Sequence, residues 1–101
     1  MIDHIVLLKL KTGVTQDQTQ ALHNGLIALQ KKGTIPGIES VTAGYNNSPE
    51  GKEHGFTWGF TMRFKNIAAR DAYLPHPDHK ELATTLLRPL VDDVLVFDYE
   101  S

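Results

Sequence analysis

Hydrophobic residues recur along this chain with two different periods, and the changes of period mark its elements. From Ile2 to Lys11 apolar residues fall on both parities, with Val6, Leu8 and Leu10 beside His4 on one and Ile5 and Leu7 on the other. That pattern predicts a strand covered on both faces. Gly13 breaks it, and Thr15 followed by Gln18 is a capping-box start for a helix. Ala21, Leu22, Leu26 and Leu29 then recur at helical spacing, and Lys31, Lys32 and Gly33 suit a helix carboxyl end. Thr34 to Gly37 reads as a turn, Ile38 to Tyr45 as a second and more exposed strand, and Asn46 to Gly55 as a polar loop. Phe56, Trp58, Phe60, Met62 and Phe64 next share one parity, with Thr57, Gly59, Thr61 and Arg63 on the other, giving the clearest strand in the chain.

Asn66 is placed to cap a short helix through Tyr73, which the segment Leu74-Pro75-His76-Pro77 interrupts. Asp78 is then placed to cap a further helix to about Leu87, with Leu82, Leu86 and Leu87 on its inner side. Pro89 ends it, and Leu90 to Tyr99 forms a last strand, again apolar on both parities. The order strand, helix, strand, strand, broken helix, strand predicts an α+β domain of the split βαβ, ferredoxin-like type, with the helices on one face of a four-stranded antiparallel sheet. Helices on one face leave the other bare. Because the first and last strands are apolar on both faces, that bare face would expose more apolar surface than soluble monomers show. A homodimer with the two sheets face to face, around a central core or cavity, is the economical solution.

Composition narrows the partners and chemistry. A length of 101 residues makes residues 1–101 a single domain. Zero cysteines exclude thiol catalysis, iron–sulfur ligation and cysteine-based zinc sites, and fit a reducing cytoplasm. Ten Lys+Arg against twelve Asp+Glu, for a formal charge of -2, give no electrostatic footprint for nucleic acid or an anionic membrane. The apolar opening is interrupted by His4 and Lys9 and lacks a small-residue cleavage site, so it reads as strand rather than signal peptide. No apolar run approaches the roughly 20 residues that span a bilayer.

The segment from Tyr73 to His79 sets a phenol, two imidazoles and a carboxylate on a stretch stiffened by Pro75 and Pro77. Acid–base chemistry needs donors and acceptors held in place, which such a segment supplies. The structural alternative makes Tyr73 a packed helix residue, His76 a turn residue, and His79 a capping or solvated one. His4, an imidazole in an aliphatic strand, shares its parity with Val6 and can face the cavity between the sheets; equally it can be hydrogen-bonded in the core. His23 and His54 read as solvated. His76, Asp78 and His79 lack a recognised metal-ligand spacing, and no phosphate-cradling glycine loop follows any strand, so neither metal nor nucleotide cofactor is implied. The aromatic parity of the third strand is core by default, whereas Thr57, Gly59 and Thr61 leave room for a ligand on the other face.

The opening His4-Ile5-Val6-Leu7-Leu8-Lys9-Leu10-Lys11, the central Ala72-Tyr73-Leu74-Pro75-His76-Pro77-Asp78-His79 and the closing Leu95-Val96-Phe97-Asp98-Tyr99 together resemble the stress-responsive A/B barrel domain family. The resemblance runs in order over essentially the whole chain, and Tyr-x-x-His-Pro-x-His is its most specific part. It implies a dimeric α/β barrel of ferredoxin-like subunits. The family includes stress-induced plant proteins and a plant polyketide cyclase that uses a tyrosine and a histidine as an acid–base pair. Carried over, His79 would be the base that takes a proton next to a carbonyl, Tyr73 would hydrogen-bond the developing oxyanion, and His4 would line the pocket with His76. Trp58, Leu22 and Leu26 stand where that cyclase has a histidine and aromatics, so they would reshape the lining for a different small hydrophobic or aromatic carbonyl compound. Two functions follow: a cofactor-independent cyclase, isomerase or lyase, or a non-catalytic stress-related or ligand-binding dimer. A cofactor-independent monooxygenase is a third and weaker reading.

Overall fold

The computed structural model describes residues 1–101. Its elements are β1 (Ile2–Leu10), α1 (Gln16–Lys32), β2 (Ile38–Tyr45), β3 (Phe56–Phe64), α2 (Ile67–Tyr73), α3 (Pro77–Leu82) and β4 (Val91–Glu100). The strands form one antiparallel sheet in the order β2-β3-β1-β4, the ferredoxin-like arrangement. Local chemistry sets the boundaries. Thr15 Oγ1 accepts the Gln18 amide while the Gln18 side chain accepts the Thr15 amide, so both halves of the capping box are made. Gly33, at φ 75°, ends α1 in the left-handed region where a side chain would be strained. Asn66 caps α2 by accepting from the Ala69 amide at 2.9 Å.

The second half of the broken helix differs from its expectation. His76, not Asp78, is the N-cap of α3: its Nδ1 accepts the Asp78 amide at 3.1 Å, and Pro77 takes the first helical position, where a missing N–H is harmless. Nor does α3 run to Leu87. It widens into a π-helical turn over Ala83–Leu87 and tightens into a 3-10 turn over Arg88–Leu90.

Register decides the faces. Val6 pairs with Phe60 and Val96, and Leu8 with Trp58 and Val94, so these side chains share the helix side of the sheet. There Ile2, Val6, Leu8, Trp58, Phe60, Met62 and Phe64 meet Leu22, Leu26 and Leu29 of α1, together with Ile35, Tyr73, Leu82 and Leu90, in a single core. Each large apolar side chain buried in this way contributes about 1.5–3 kcal/mol. On the opposite face Ile5 and Leu7 are half-buried, and Leu95, Phe97 and Tyr99 are 41%, 59% and 49% exposed. β4 is therefore not covered on both faces within the protomer. It is an edge strand, and even Val96, on its helix side, is 56% exposed. No helix is long and apolar enough to cross a membrane.

Candidate functional site

α2 and α3 bring Tyr73 and His79 together across the stiff Leu74-Pro75-His76 link. Tyr73 closes α2 with only 1% of its surface exposed, and its ring lies 4.1 Å from the imidazole of His79 and 5.0 Å from Phe64, centre to centre. His79 Nδ1 is 2.9 Å from the carbonyl oxygen of Leu74. A carbonyl only accepts, so Nδ1 carries the hydrogen and the lone pair of the neutral ring sits on Nε2. Burial lowers the His79 pKa below its ordinary value, the nearby charges of His4, His76 and Lys80 lower it further, and the bond to Leu74 opposes them. The same burial pushes the Tyr73 phenol well above the usual tyrosine range. A neutral base therefore stands beside a neutral phenol.

β1 adds a third ring. His4 is 4% exposed and lies edge-on to Tyr73 at 5.9 Å, to Phe64 at 6.0 Å and to Phe60 at 6.5 Å. Its parity turns it toward the helices and not toward the space between two sheets, so of the two expected placements the structure shows the one hydrogen-bonded in the core. His4 Nδ1 donates to Asp98 Oδ1 at 2.8 Å, and Asp98 Oδ2 accepts from Arg70 Nη1 at 2.9 Å. Arg70 also donates through Nε to Asp71. Asp98 and Arg70 were not singled out by sequence reasoning. The available signal was a carboxylate between the apolar run Leu95-Val96-Phe97 and Tyr99, opposite a lone imidazole inside another apolar run.

Three polar atoms in this cluster make no hydrogen bond within the protein: Tyr73 Oη, His79 Nε2 and His4 Nε2. No side-chain nitrogen or oxygen that is wholly shut off from solvent lacks a partner. Those three atoms therefore remain reachable from outside, although the rings that carry them are largely buried. The result is a cluster of packed rings, Phe60 and Phe64 among them, that carries one donor and two imidazole nitrogens not wholly shut off from solvent.

The other expected residues serve the packing around it. Leu22 and Leu26 are fully buried in α1, and Trp58 is 4% exposed with its ring 6.2 Å from that of Phe60. His76 is engaged as the cap of α3, and Asp78 accepts from Thr34 Oγ1 at 2.6 Å and Lys32 Nζ at 3.1 Å, bonds that hold its carboxyl below the usual range. His54 is exposed and His23 half-buried. A hollow of about 670 Å³ lies on the opposite face, where the 46–55 loop meets Thr42, Gly44, Thr57, Gly59 and Thr61. A smaller one of about 370 Å³ lies between α1 and Tyr45, and neither reaches His4, Tyr73 or His79.

The pattern that defines the stress responsive A/B barrel domain matches residues 2–101. The chain belongs to that family. Among its A/B barrel relatives, the stress-response A/B barrel domain-containing protein HS1 of Arabidopsis thaliana is 32% identical over 99 residues, covering 98% of this chain and 88% of that protein. Olivetolic acid cyclase of Cannabis sativa is 26% identical over 98 residues, covering 97% and 94%. A dimeric ferredoxin-like protein of unknown function from Jannaschia sp. CCS1 superposes with a TM-score of 0.82 at 29% identity, over 99% of this chain and 98% of that one. The hydroxynitrile lyase of Passiflora edulis shares the fold, with a TM-score of 0.83 at 23% identity over 97% and 90%. Proteins similar to this A/B barrel domain thus range from a cyclase and a lyase to dimers without an assigned reaction.

Proposed function

We propose that this A/B barrel domain is a homodimer whose protomers carry out cofactor-independent proton transfer on a small hydrophobic carbonyl compound, as a cyclase, isomerase or lyase. The observation that carries the reading is the pair of unpaired, solvent-reachable atoms Tyr73 Oη and His79 Nε2 on rings 4.1 Å apart, with the His79 tautomer fixed by Leu74. His79 Nε2 takes the proton from the carbon next to the carbonyl. The electron pair of that C–H bond moves onto the carbonyl oxygen, which accepts a hydrogen bond from Tyr73. The resulting enolate adds to a carbon electrophile, is reprotonated elsewhere, or expels a leaving group, which gives cyclase, isomerase or lyase chemistry respectively. The homodimer reading draws on the exposed Leu95, Phe97 and Tyr99 and on the dimeric Jannaschia relative.

The test is deuterium uptake at the α-carbon of small ketones and 1,3-diketones, followed by NMR in heavy water. Exchange above the buffer rate that vanishes in His79→Ala and Tyr73→Phe, with both variants still dimeric, supports the proposal. Unchanged exchange in His79→Ala overturns it. The second reading, a non-catalytic ligand-binding dimer, draws on the 670 Å³ hollow on the far face. It predicts ligand contacts at Thr57 and Thr61 and none at His79.

A further inference from the structure

The proton transfer proposed above uses Tyr73 and His79 and leaves His4 idle, yet His4 is the more elaborately held imidazole. Its Nδ1 meets Asp98, and Asp98 is itself fixed by Arg70, which spans from α2 to β4. A carboxylate against a guanidinium only accepts hydrogen bonds, so Nδ1 of His4 bears a hydrogen, and in the neutral form of the ring the lone pair is left on Nε2. His79 is set in the same sense by the Leu74 carbonyl. The ring cluster therefore offers one donor, the Tyr73 phenol, on a ring 4.1 Å from that of His79 and 5.9 Å from that of His4, and two acceptors. A carbonyl oxygen satisfies the donor, and the carbon acid faces His79. His4 Nε2 still needs a hydrogen.

We propose that Arg70 and Asp98 hold His4 as a hydrogen-bond acceptor beside Tyr73 and His79, so that the substrate is a hydroxycarbonyl compound or an enol: a neutral molecule with an O–H close to its carbonyl. This rests on the proton-transfer reading for the carbonyl half alone. Asp98 and Arg70 are positioning residues that act through His4. A ketone without the hydroxyl leaves His4 Nε2 desolvated and unpaired, and sites built to bond a substrate hydroxyl reject analogues that lack it far more strongly than apolar pockets reject a missing methylene. The walls supplied by Phe60 and Phe64, 6.5 and 6.0 Å from His4, add apolar contact and no charge.

Asp98→Asn tests the arrangement at its pivot. Arg70 requires an oxygen, so the Asn amide keeps its oxygen toward Arg70 and turns its NH2 toward His4 Nδ1. The imidazole must then move its hydrogen to Nε2, and the acceptor becomes a donor. The experiment titrates butanone against 3-hydroxy-2-butanone, and cyclohexanone against 2-hydroxycyclohexanone, at about pH 8, where an ordinary histidine is neutral. Ring nitrogen and proton NMR signals of His4 and His79 report both binding and tautomer. The expected result is binding of each hydroxyketone at least about tenfold tighter than its parent, a His4 tautomer with Nδ1–H, and loss of both in Asp98→Asn while His79 keeps its tautomer. His4→Phe keeps a ring in place, removes the acceptor, and erases the preference without relying on the Asn variant to fold. Equal affinity for hydroxyketone and parent, no binding of either, or an Nε2–H tautomer in the wild type overturns the proposal. Binding is read without turnover, so the two readings fail separately. α-Deuterium exchange without a hydroxyl preference refutes this one alone, and a preference without exchange refutes only the proton-transfer chemistry.

Discussion

Tyr73→Phe removes one oxygen from the middle of the protein and separates the roles of ring and hydroxyl. The ring packs against Phe64 at 5.0 Å, His4 at 5.9 Å and His79 at 4.1 Å, and all of that survives. The hydroxyl has no hydrogen-bond partner within the protein, so its removal breaks no bond between protein groups and costs only its contact with water. Stability should therefore stay within about 0.5 kcal/mol of wild type or rise, whereas Tyr73→Ala, which also deletes the 1%-exposed ring, should lose about 3–5 kcal/mol. Catalysis should respond the other way round. Loss of a single donor to a developing oxyanion lowers turnover by about 100- to 1,000-fold, so Tyr73→Phe should be well folded, dimeric and nearly inactive in α-deuterium exchange. Urea unfolding followed by circular dichroism, run beside the exchange assay, reads both quantities on the same sample. A loss above about 2 kcal/mol in Tyr73→Phe would mean that the phenol is structurally bonded, and the reasoning about a free donor would fall. Full exchange activity would remove Tyr73 from the chemistry.

The lowered pKa of His79, caused first by burial, has two expected consequences. Exchange should persist to lower pH than a histidine with the ordinary value of 6.5 would allow, and a pH–rate profile breaking at or above 6.5 would contradict it. Because the unfolded chain takes up this proton near 6.5 and the folded one does not, the contribution of His79 to stability is complete above 6.5 and is lost as pH falls toward the folded value, which denaturant titrations at several pH values read directly. Phe97→Asp, on a residue 59% exposed in the protomer, should leave the fold intact and shift the protein from dimer to monomer in size-exclusion chromatography with light scattering; a persisting dimer would refute pairing through that face. Gly25→Ala sets two effects against each other. A Cβ there would lie 2.8 Å from Leu86 Cδ1 and 3.3 Å from Leu82 Cδ1, an overpacking of about 1–3 kcal/mol, against about 1 kcal/mol gained in helix propensity. A net lowering of the melting temperature is expected, and a stabilised variant would show that Leu86 moves freely.

Much of this arrangement was legible in the residues because the relevant signals are local. The capping box at Thr15, the glycine at 33, the Asn66 cap and the two-residue alternation of β3 each act within a few positions, and each appears where expected. Less local features were harder to read. Period-two alternation says that His4 and Ile5 face opposite ways but not which way the helices lie, so His4 was free to be assigned to either side. The apolar open face of β4 is legible in its alternation, but its place at the sheet edge is not, because strand order is not encoded in its own residues. The start of α3 is two residues earlier than the Asp78 cap implies, because Pro77 belongs to the first helical position and not to the interruption, and His76, not His79, is the capping histidine. The π-helical turn has no sequence signature of its own; Gly25 of α1, pressed against Leu82 and Leu86, is where its packing is felt. Arg70 and Asp98 lie 28 residues apart and meet only through the sheet.

The cluster of His4, Tyr73 and His79 and the bare apolar strip lie on opposite faces of one sheet, and they meet at β4. Asp98 projects to the helix side, toward His4, while its neighbours Phe97 and Tyr99 project to the open side, 59% and 49% exposed. β4 has a strand on one side only, β1, so in an isolated protomer the carboxylate is restrained by that ladder and by its bonds to Arg70 and His4. A second copy packed over Phe97 and Tyr99 would clamp the same backbone from the other face, one peptide unit from Asp98. Under the two proposals above, pairing therefore acts on the chemistry without lending a residue to it: it steadies the strand that sets the His4 tautomer. The Phe97→Asp monomer should accordingly keep the Leu74-fixed tautomer of His79, which depends on no residue of β4, while its His4 signals broaden or shift and the hydroxyketone preference weakens. A monomer with wild-type His4 signals would show that the ladder to β1 and the grip of Arg70 suffice by themselves.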